Sequence, residues 1–193
     1  MIIYATKQTM ERYNLKLPEE LTPPLDRIAQ SVVEKESGDR LVEWGAKIFY
    51  FDRRKCIQIV NFASKFTLFL IDIKVADLDN VGDSIAFYLL ELYKNDKEMT
   101  IALKKMFAEH HLICFSKLTD RSIIATLNTT QSGFAEDGYR LYDYIWDSIL
   151  HSLELNHVIN FKWSFTMKVN GRTERFYPGE KFRELVVARY GAC

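Results

Sequence analysis

Short apolar runs predict a sheet in the middle of the chain. Three such runs, Ala46–Phe51, Cys56–Phe62 and Phe66–Ile73, are separated by spacers of only four and three residues. Spacers that short connect only antiparallel neighbours, so residues 46–73 are predicted to form a meander. The third run is almost continuously apolar, as expected of a strand that is buried on both faces.

Strict alternation of apolar and polar residues predicts a second β element near the C-terminus. The apolar positions are Phe161, Trp163, Phe165, Met167 and Val169. Asn170-Gly171 follows them and is the pair typical of a type I′ turn. A hairpin over residues 160–177 is therefore predicted.

Apolar residues at intervals of three and four predict helices in most other segments. These segments are residues 25–35, 83–94, 99–106, 120–128, 139–154 and 180–189. Short apolar runs at residues 2–5 and 111–116 are predicted as further strands. The pattern predicts an α+β fold in which an antiparallel sheet, the meander 46–73 plus the hairpin 160–177, packs against several helices in one domain, residues 1–193.

Composition narrows the classes of function. Twenty-six basic and twenty-six acidic residues cancel. A protein that coats nucleic acid usually carries a basic excess, so a nucleic-acid contact would have to come from a local patch. No apolar stretch approaches 18 residues, so no membrane contact is expected. The three cysteines lack a CxxC spacing, which favours reduced thiols and a cytoplasmic location.

The first candidate binding site is the turn between the first two runs of the meander. Arg53, Arg54 and Lys55 place three cations in a row at the tip of a tight hairpin. Such a tip can be an ordinary solvated turn. It can also bind a phosphate or an acidic partner, since arginine forms bidentate contacts with both kinds of group.

The second candidate is the start of the helix predicted at residues 120–128. Thr119 or Asp120 can cap this helix, which accounts for both of them structurally. Arg121 and Asn128 are seven residues apart and share a helix face, with Ser122 beside them in the first turn. Arg121 can pair with a carboxylate inside the fold or hold an anionic ligand at the helix N-terminus.

Two further groups of polar residues could be catalytic. Asp52, Asp72 and Lys74 have the residue types of a metal-dependent nuclease, and Asp120, Arg121 and Asn128 form another polar group. Asp52 and Asp72 end the first and third strands, so they are about 10 Å apart, beyond the reach of a single metal ion. No zinc, nucleotide-binding or serine-hydrolase motif is present. The sequence thus predicts no catalytic residue, no metal ligand and no cofactor.

Five stretches carry a resemblance to a known family: "MIIYATK", "WGAKIFYFDRRKCIQIVN", "LFLIDIKVADL", "FSKLTDRSIIATLN" and "RFYPGEKFRELV". The chain resembles a family of small bacterial proteins defined only as a domain of unknown function. The positions that fit its pattern are Trp44, Ala46, Arg53, Arg54, Lys55, Asn61, Ser116, Arg121, Ser122 and Asn128. The resemblance implies no activity. It marks residues 138–193 as an elaboration of the single domain.

These observations favour a non-enzymatic binding or regulatory module of bacterial or phage origin. Its partner is expected to be an acidic protein or a nucleic-acid-handling enzyme, which it would contact through the cationic tip as an inhibitor or as part of a toxin or defence system. A metal-dependent nuclease or hydrolase and a direct nucleic-acid binder are the alternatives, and a homodimer is left open. The preferred hypothesis requires residues 53–55 and the start of the 120s helix to share one accessible face.

Overall fold

The structure, a computed structural model, describes residues 1–169 and 171–191 and has the predicted α+β fold. The strands are β1 (Ile2–Ala5), β2 (Glu43–Phe51), β3 (Arg54–Asn61), β4 (Thr67–Ile71), β5 (Cys114–Lys117), β6 (Ile145–Trp146), β7 (Ile149–Leu150), β8 (Phe165–Val169) and β9 (Arg172–Phe176). The helices are α1 (Lys7–Tyr13), α2 (Leu25–Glu36), α3 (Val81–Leu92), α4 (Lys97–Glu109), α5 (Arg121–Glu136), α6 (Ser152–Phe161) and α7 (Pro178–Tyr190).

The central sheet has five strands in the order β4-β3-β2-β1-β5. β2, β3 and β4 are antiparallel neighbours, which confirms the meander predicted over residues 46–73. β1 runs parallel to both β2 and β5, so the sheet is mixed rather than wholly antiparallel. The apolar pattern predicted β1 and β5 as strands without giving them partners. Helical connections lie between these strands and are long enough for parallel pairing.

Helices cover both faces of the central sheet. Trp44 lies on one face, where α1, α3, α4 and α7 pack, and Phe182 of α7 meets its ring edge-on at 5.8 Å. Val60 and Phe69 lie on the other face, beneath α5 and α6. Among the described residues, no helix has both the length and the apolar composition needed to cross a lipid bilayer.

Helix α6 closes the β4 edge of the sheet with two asparagines one turn apart. Asn160 accepts from the Thr67 amide at 2.8 Å and donates to the Thr67 carbonyl at 2.7 Å. Asn156 does the same with Phe69, at 2.7 and 3.2 Å. The two side chains supply the hydrogen bonds that a further strand would make at Thr67 and Phe69.

The predicted C-terminal hairpin is confirmed in part. β8 and β9 pair in antiparallel fashion, but they form a two-stranded sheet of their own rather than extending the meander. The hairpin begins at Phe165, because α6 continues to Phe161 and Trp163 then packs against α5. The predicted turn includes Asn170, which lies outside the described residues. We call β8 and β9 the arm, since these strands contact each other far more than they contact any other element.

The helix predicted over residues 139–154 is wrong. A 3-10 turn at Leu141–Tyr144 leads into the short hairpin β6–β7, and α6 starts only at Ser152. Asp147 and Ser148 have φ values of 51° and 62° and form the two-residue turn of this hairpin. The apolar stripe read as one helix face is therefore divided between a turn, a hairpin and the first turn of α6.

Candidate functional site

The cationic tip is a two-residue turn at the end of the β2–β3 hairpin. Asp52 and Arg53 both have positive φ, 47° and 68°, as a type I′ turn requires. Phe51 pairs with Arg54 directly below the turn, so the predicted tight hairpin is confirmed. The sequence pattern located this turn correctly.

The three cations of the tip point to different surroundings. Arg54 forms a salt bridge with Asp72 at 2.8 Å. Lys55, the next residue along β3, lies on the opposite face, with its amine 4.9 Å from the ring centroid of Tyr13. Arg53 is exposed in the turn itself. Because Arg54 is already paired and Lys55 faces α1, the tip presents less free positive charge than the sequence predicts.

The two carboxylates of the nuclease alternative have different partners within the fold. Asp52 accepts a hydrogen bond from the Leu141 amide, whereas Asp72 is held by Arg54. The backbone amide of Lys74 donates to Asp77 and begins a 3-10 turn. Within residues 1–169 and 171–191, no three His, Cys, Asp or Glu side chains are grouped so that they could hold a metal ion. The geometry thus gives the nuclease alternative no support.

Asp120 caps α5. It is one of the two residues, Thr119 and Asp120, that the sequence offered as the cap. Its carboxylate accepts from the Ile123 amide at 3.0 Å and pairs with Arg40 at 3.1 Å. Burial alone would raise the pKa of this carboxyl, but the Ile123 amide and Arg40 outweigh it and hold the pKa below 3.8. The cap also fixes the Arg40 guanidinium over the ring of Phe62, at 5.2 Å from the centroid.

Helix α5 separates the predicted site residues into two flanks. Arg121 and Asn128 share one flank, as their spacing predicts, and Asn128 accepts from the Lys47 amine at 2.7 Å. Burial lowers the pKa of that amine. Ser122 lies on the other flank, where its hydroxyl accepts from Lys65. The binding role of Arg121, Ser122 and Asn128 therefore stays a prediction, with Ser122 on a different flank of α5 from the other two.

The hairpin tip and the start of α5 do not lie together either. Ile123 packs against Gly45 near the start of α5, and Phe134 packs against Phe51 near its end. Gly45 and Phe51 are six residues apart along β2, which corresponds to about 20 Å at roughly 3.3 Å per residue. The expected common face is not formed, because α5 runs along the hairpin and places its first turn at the far end from the tip.

A cleft opens on the Ser122 flank of α5 and has a volume of about 1020 Å³. Its walls are α5, the turn between β3 and β4, the start of the arm and the first half of α7. Three cationic side chains border it: Arg40, Lys65 and Lys181. Trp163 and Phe165 supply apolar surface, and hydroxyl groups line the α5 wall at positions that include Ser122, Thr126 and Thr129. We call this space the cleft.

Lys65 is the residue of the cleft that the sequence did not single out. It lies in the turn between β3 and β4 with φ of 62° and is only 8% exposed. Its amine donates to the Ser122 hydroxyl at 3.0 Å. Burial, reinforced by the nearby Arg40 charge, lowers its pKa from 10.5 to about 8, although Asp120 opposes this effect. In the "ASK" spacer nothing signals this burial, which depends on α5 and on residues that lie about a hundred positions later.

A comparison with known protein families matches residues 2–178 to the family described as "Domain of unknown function (DUF6933)". The chain belongs to the DUF6933 family. A search of curated proteins found no significant match.

The DUF6933 match confirms the resemblance inferred from the sequence stretches. It spans the hairpin tip, the β3–β4 turn, all of α5 and both strands of the arm. It ends at Pro178, the first residue of α7, so most of the cleft lies inside the matched region. The family description assigns no activity.

Proposed function

We propose that this protein is a binding module for an acidic partner, and that an acidic group of the partner is taken up by the cleft beside Lys65. The proposal keeps the class of partner expected from the sequence and moves the principal contact from the hairpin tip to the cleft. A regulatory role in a bacterial or phage-infected cytoplasm fits such a module, for example the inhibition of a nucleic-acid-handling enzyme.

One observation carries the proposal: the buried Lys65 amine has a neutral partner. Lysine is rarely buried unless its charge is paired. In the described part of the chain, the hydrogen bond to the Ser122 hydroxyl satisfies one donor, while the nearest capping carboxylate, Asp120, pairs with Arg40 instead. A carboxylate or phosphate entering the cleft would supply the missing negative charge through a charge-assisted hydrogen bond.

The surroundings of Lys65 offer an acidic group both additional positive charge and neutral surface. Arg40 and Lys181 add positive charge at the border of the cleft. Part of that charge is compensated, because Arg40 pairs with Asp120 at 3.1 Å and Lys181 pairs with Glu184 at 2.9 Å. The hydroxyl row of α5 and the ring of Trp163 then offer neutral hydrogen-bonding and apolar surface. Lys65 is therefore expected to contribute most of the affinity.

The test uses fluorescence anisotropy with labelled poly-L-glutamate as the acidic probe. Lys65→Met should weaken binding at least about tenfold, as is typical when one partner of a buried charge pair is removed. Lys104→Met, a change of the same kind at an exposed position on α4, should leave binding unchanged. Arg53→Ala should alter binding less than about threefold, as expected of a peripheral charge. Undiminished binding by Lys65→Met, or complete loss in Arg53→Ala, would overturn the assignment to the cleft.

A second candidate function, a serine hydrolase, is favoured by one distance. The Ser122 hydroxyl and the Lys65 amine are 3.0 Å apart, and a serine can be activated by a neutral lysine that accepts its proton. A pKa of about 8 leaves a minor neutral fraction of Lys65 at neutral pH. We propose this activity only as the alternative, because anion binding uses the dominant protonated form.

Lys65→Arg separates the two functions. Arginine stays charged at all relevant pH values, so it preserves anion binding but cannot accept a proton from Ser122. A fluorophosphonate probe that labels Ser122 in the wild type, and fails to label it in Lys65→Arg, would establish the hydrolase. Retained binding of poly-L-glutamate by Lys65→Arg, with no labelling of the wild type, supports the binding module.

A further inference from the structure

One wall of the cleft is formed by the start of the arm. Three consecutive residues, Ser164, Phe165 and Thr166, line the cleft. Successive side chains of a β-strand point to opposite faces, so a strand that turned one face to the cleft would contribute every second residue. Ser164 precedes β8, but Phe165 and Thr166 are its first two residues, and this consecutive pair indicates that the strand borders the cleft with its edge.

None of the described β9 residues lines the cleft, which indicates that the bordering edge of β8 is the one away from β9. β9 occupies the opposite edge, with Phe165 opposite Phe176 and Thr166 opposite Arg175. In the described residues the arm has only these two strands, so no strand of the central sheet pairs with β8. The free edge therefore presents backbone N–H and C=O groups beside a cleft whose floor carries Lys65.

The charge around this edge favours an acidic occupant. Arg172 and Arg175 are exposed on β9, and Glu174 is the acidic residue between them. Arg175 also donates to the Ser164 hydroxyl, which holds one of these cations at the border of the cleft. Lys65 and Lys181 border the cleft itself, and Arg175 adds a further cation beside Ser164.

We infer that the partner enters the cleft as an extended acidic peptide segment that adds to the free edge of β8 as a third strand. This inference rests on the proposed function and specifies the form in which the acidic group arrives. The peptide backbone pairs with β8, while alternate acidic side chains, about 7 Å apart, face the Lys65 side. The intervening side chains face away from the floor of the cleft. β-branched residues suit those positions because they favour the extended conformation.

A peptide fits this site better than a nucleic acid does. The free strand edge offers alternating donors and acceptors that match a peptide backbone, whereas a phosphodiester backbone carries no amide donor. The chain as a whole has no basic excess, with 26 basic and 26 acidic residues. Binding of a nucleic acid in place of a peptide is therefore one of the results that would refute the inference.

The test compares three labelled peptides of the same charge by fluorescence anisotropy. The parent is a short synthetic peptide in which Asp alternates with Val. The other two carry N-methyl groups on alternate amides, one on the odd and one on the even positions, so that each blocks a different backbone edge. We expect one methylated peptide to bind at least about tenfold more weakly than the parent and the other to bind normally, because strand addition uses one edge only.

Each remaining outcome overturns a distinct part of the argument. Equal binding by all three peptides that is still weakened by Lys65→Met would refute strand addition and leave the proposed acidic-group site standing. Equal binding by all three peptides that Lys65→Met does not change would refute both strand addition and the acidic-group site. Binding of a deoxythymidine oligonucleotide, with no binding of the parent peptide, would also refute both and favour the nucleic-acid alternative.

Hydrogen exchange gives a second readout on the protein itself. Strand addition should slow exchange at one of the two neighbouring amides Phe165 and Thr166, since only alternate residues direct their N–H groups to the free edge. Poly-L-glutamate with every amide methylated keeps the charge and should give no such protection. Protection of neither amide by the parent peptide would overturn the inference.

Discussion

Replacing Lys65 by Met tests whether the cleft contains an uncompensated charge when no partner is bound. The pKa of Lys65 falls from 10.5 to about 8 on folding, chiefly through burial. The unfolded chain therefore binds the proton more tightly than the folded one. Stability rises with pH between about 8 and 10.5, where the unfolded lysine is protonated and the folded one is not. Below pH 8 both states are protonated, and the full cost of burying the charge is present.

The size of this cost follows from the pKa difference. A shift from 10.5 to about 8 corresponds to at most about 3 kcal/mol at 1.36 kcal/mol per pKa unit. Water at the open side of the cleft screens part of the charge, so we expect about 1–2 kcal/mol at pH 7. Met has a similar length and the same backbone preference at φ of 62°, so it removes the charge with little other change. Lys65→Met should therefore be more stable than the wild type at neutral pH.

Urea unfolding followed by circular dichroism at pH 7, 9 and 10 measures this difference directly. The advantage of Lys65→Met should shrink as the pH rises towards 10.5. Lys104→Met, at an exposed position on α4, should stay within about 0.5 kcal/mol of the wild type at every pH. If Lys65→Met were destabilised at pH 7 by a constant amount across the pH series, the amine would already be compensated within the fold. Lys65 would then have no uncompensated charge for an acidic ligand to neutralise.

Three further substitutions test the contacts that hold α5 and α6 in place, each by urea unfolding. Asn160→Leu should lower the free energy of unfolding by about 2–4 kcal/mol, because it leaves the Thr67 amide and carbonyl buried without partners. A loss below about 0.5 kcal/mol would show that α6 does not close the β4 edge. Gly45→Ala places a Cβ against Ile123 Cγ2 and should lower the free energy of unfolding by about 1–3 kcal/mol, with partial recovery on adding Ile123→Val; no recovery would place the strain elsewhere. Asp120→Ala should cost about 1 kcal/mol at pH 7, and the difference should disappear as the pH falls below 3.8, because protonation then removes the same carboxylate from the wild type. An Asp120→Ala effect that persisted in acid would contradict the role of the charged cap.

Features with a strictly local cause could be predicted from the sequence. The β2–β3 turn needs two residues with positive φ between paired strands, and the four-residue spacer before Cys56 indicates it. The start of α5 needs a capping side chain, and Asp120 supplies one. Both elements were placed within a residue or two. The α+β class followed from the same two periodicities.

Features that depend on distant packing could not be predicted. The apolar stripe of residues 139–154 matches a helix period, yet Asp52 captures the Leu141 amide and the Asp147–Ser148 turn folds the chain back. Partners for β1 depend on crossovers of helices α1 to α4, which a strand pattern does not encode. The two flanks of α5 were likewise invisible, since helical spacing shows which residues share a face but not what that face meets.

Lys65 shows why a cationic sequence cluster and a binding charge need not coincide. Arg53, Arg54 and Lys55 stand out in the sequence because they are adjacent. In the structure Arg53 is exposed in the turn, Arg54 pairs with Asp72 and Lys55 lies over the Tyr13 ring. Lys65 stands alone in the sequence. Its amine is the proposed site because it lies buried against the Ser122 hydroxyl of α5 and meets water only on the open side of the cleft. A charge held away from water at a cost in stability has more to gain from an incoming anion than a solvated one, and this difference is the reason for proposing the cleft as the binding site.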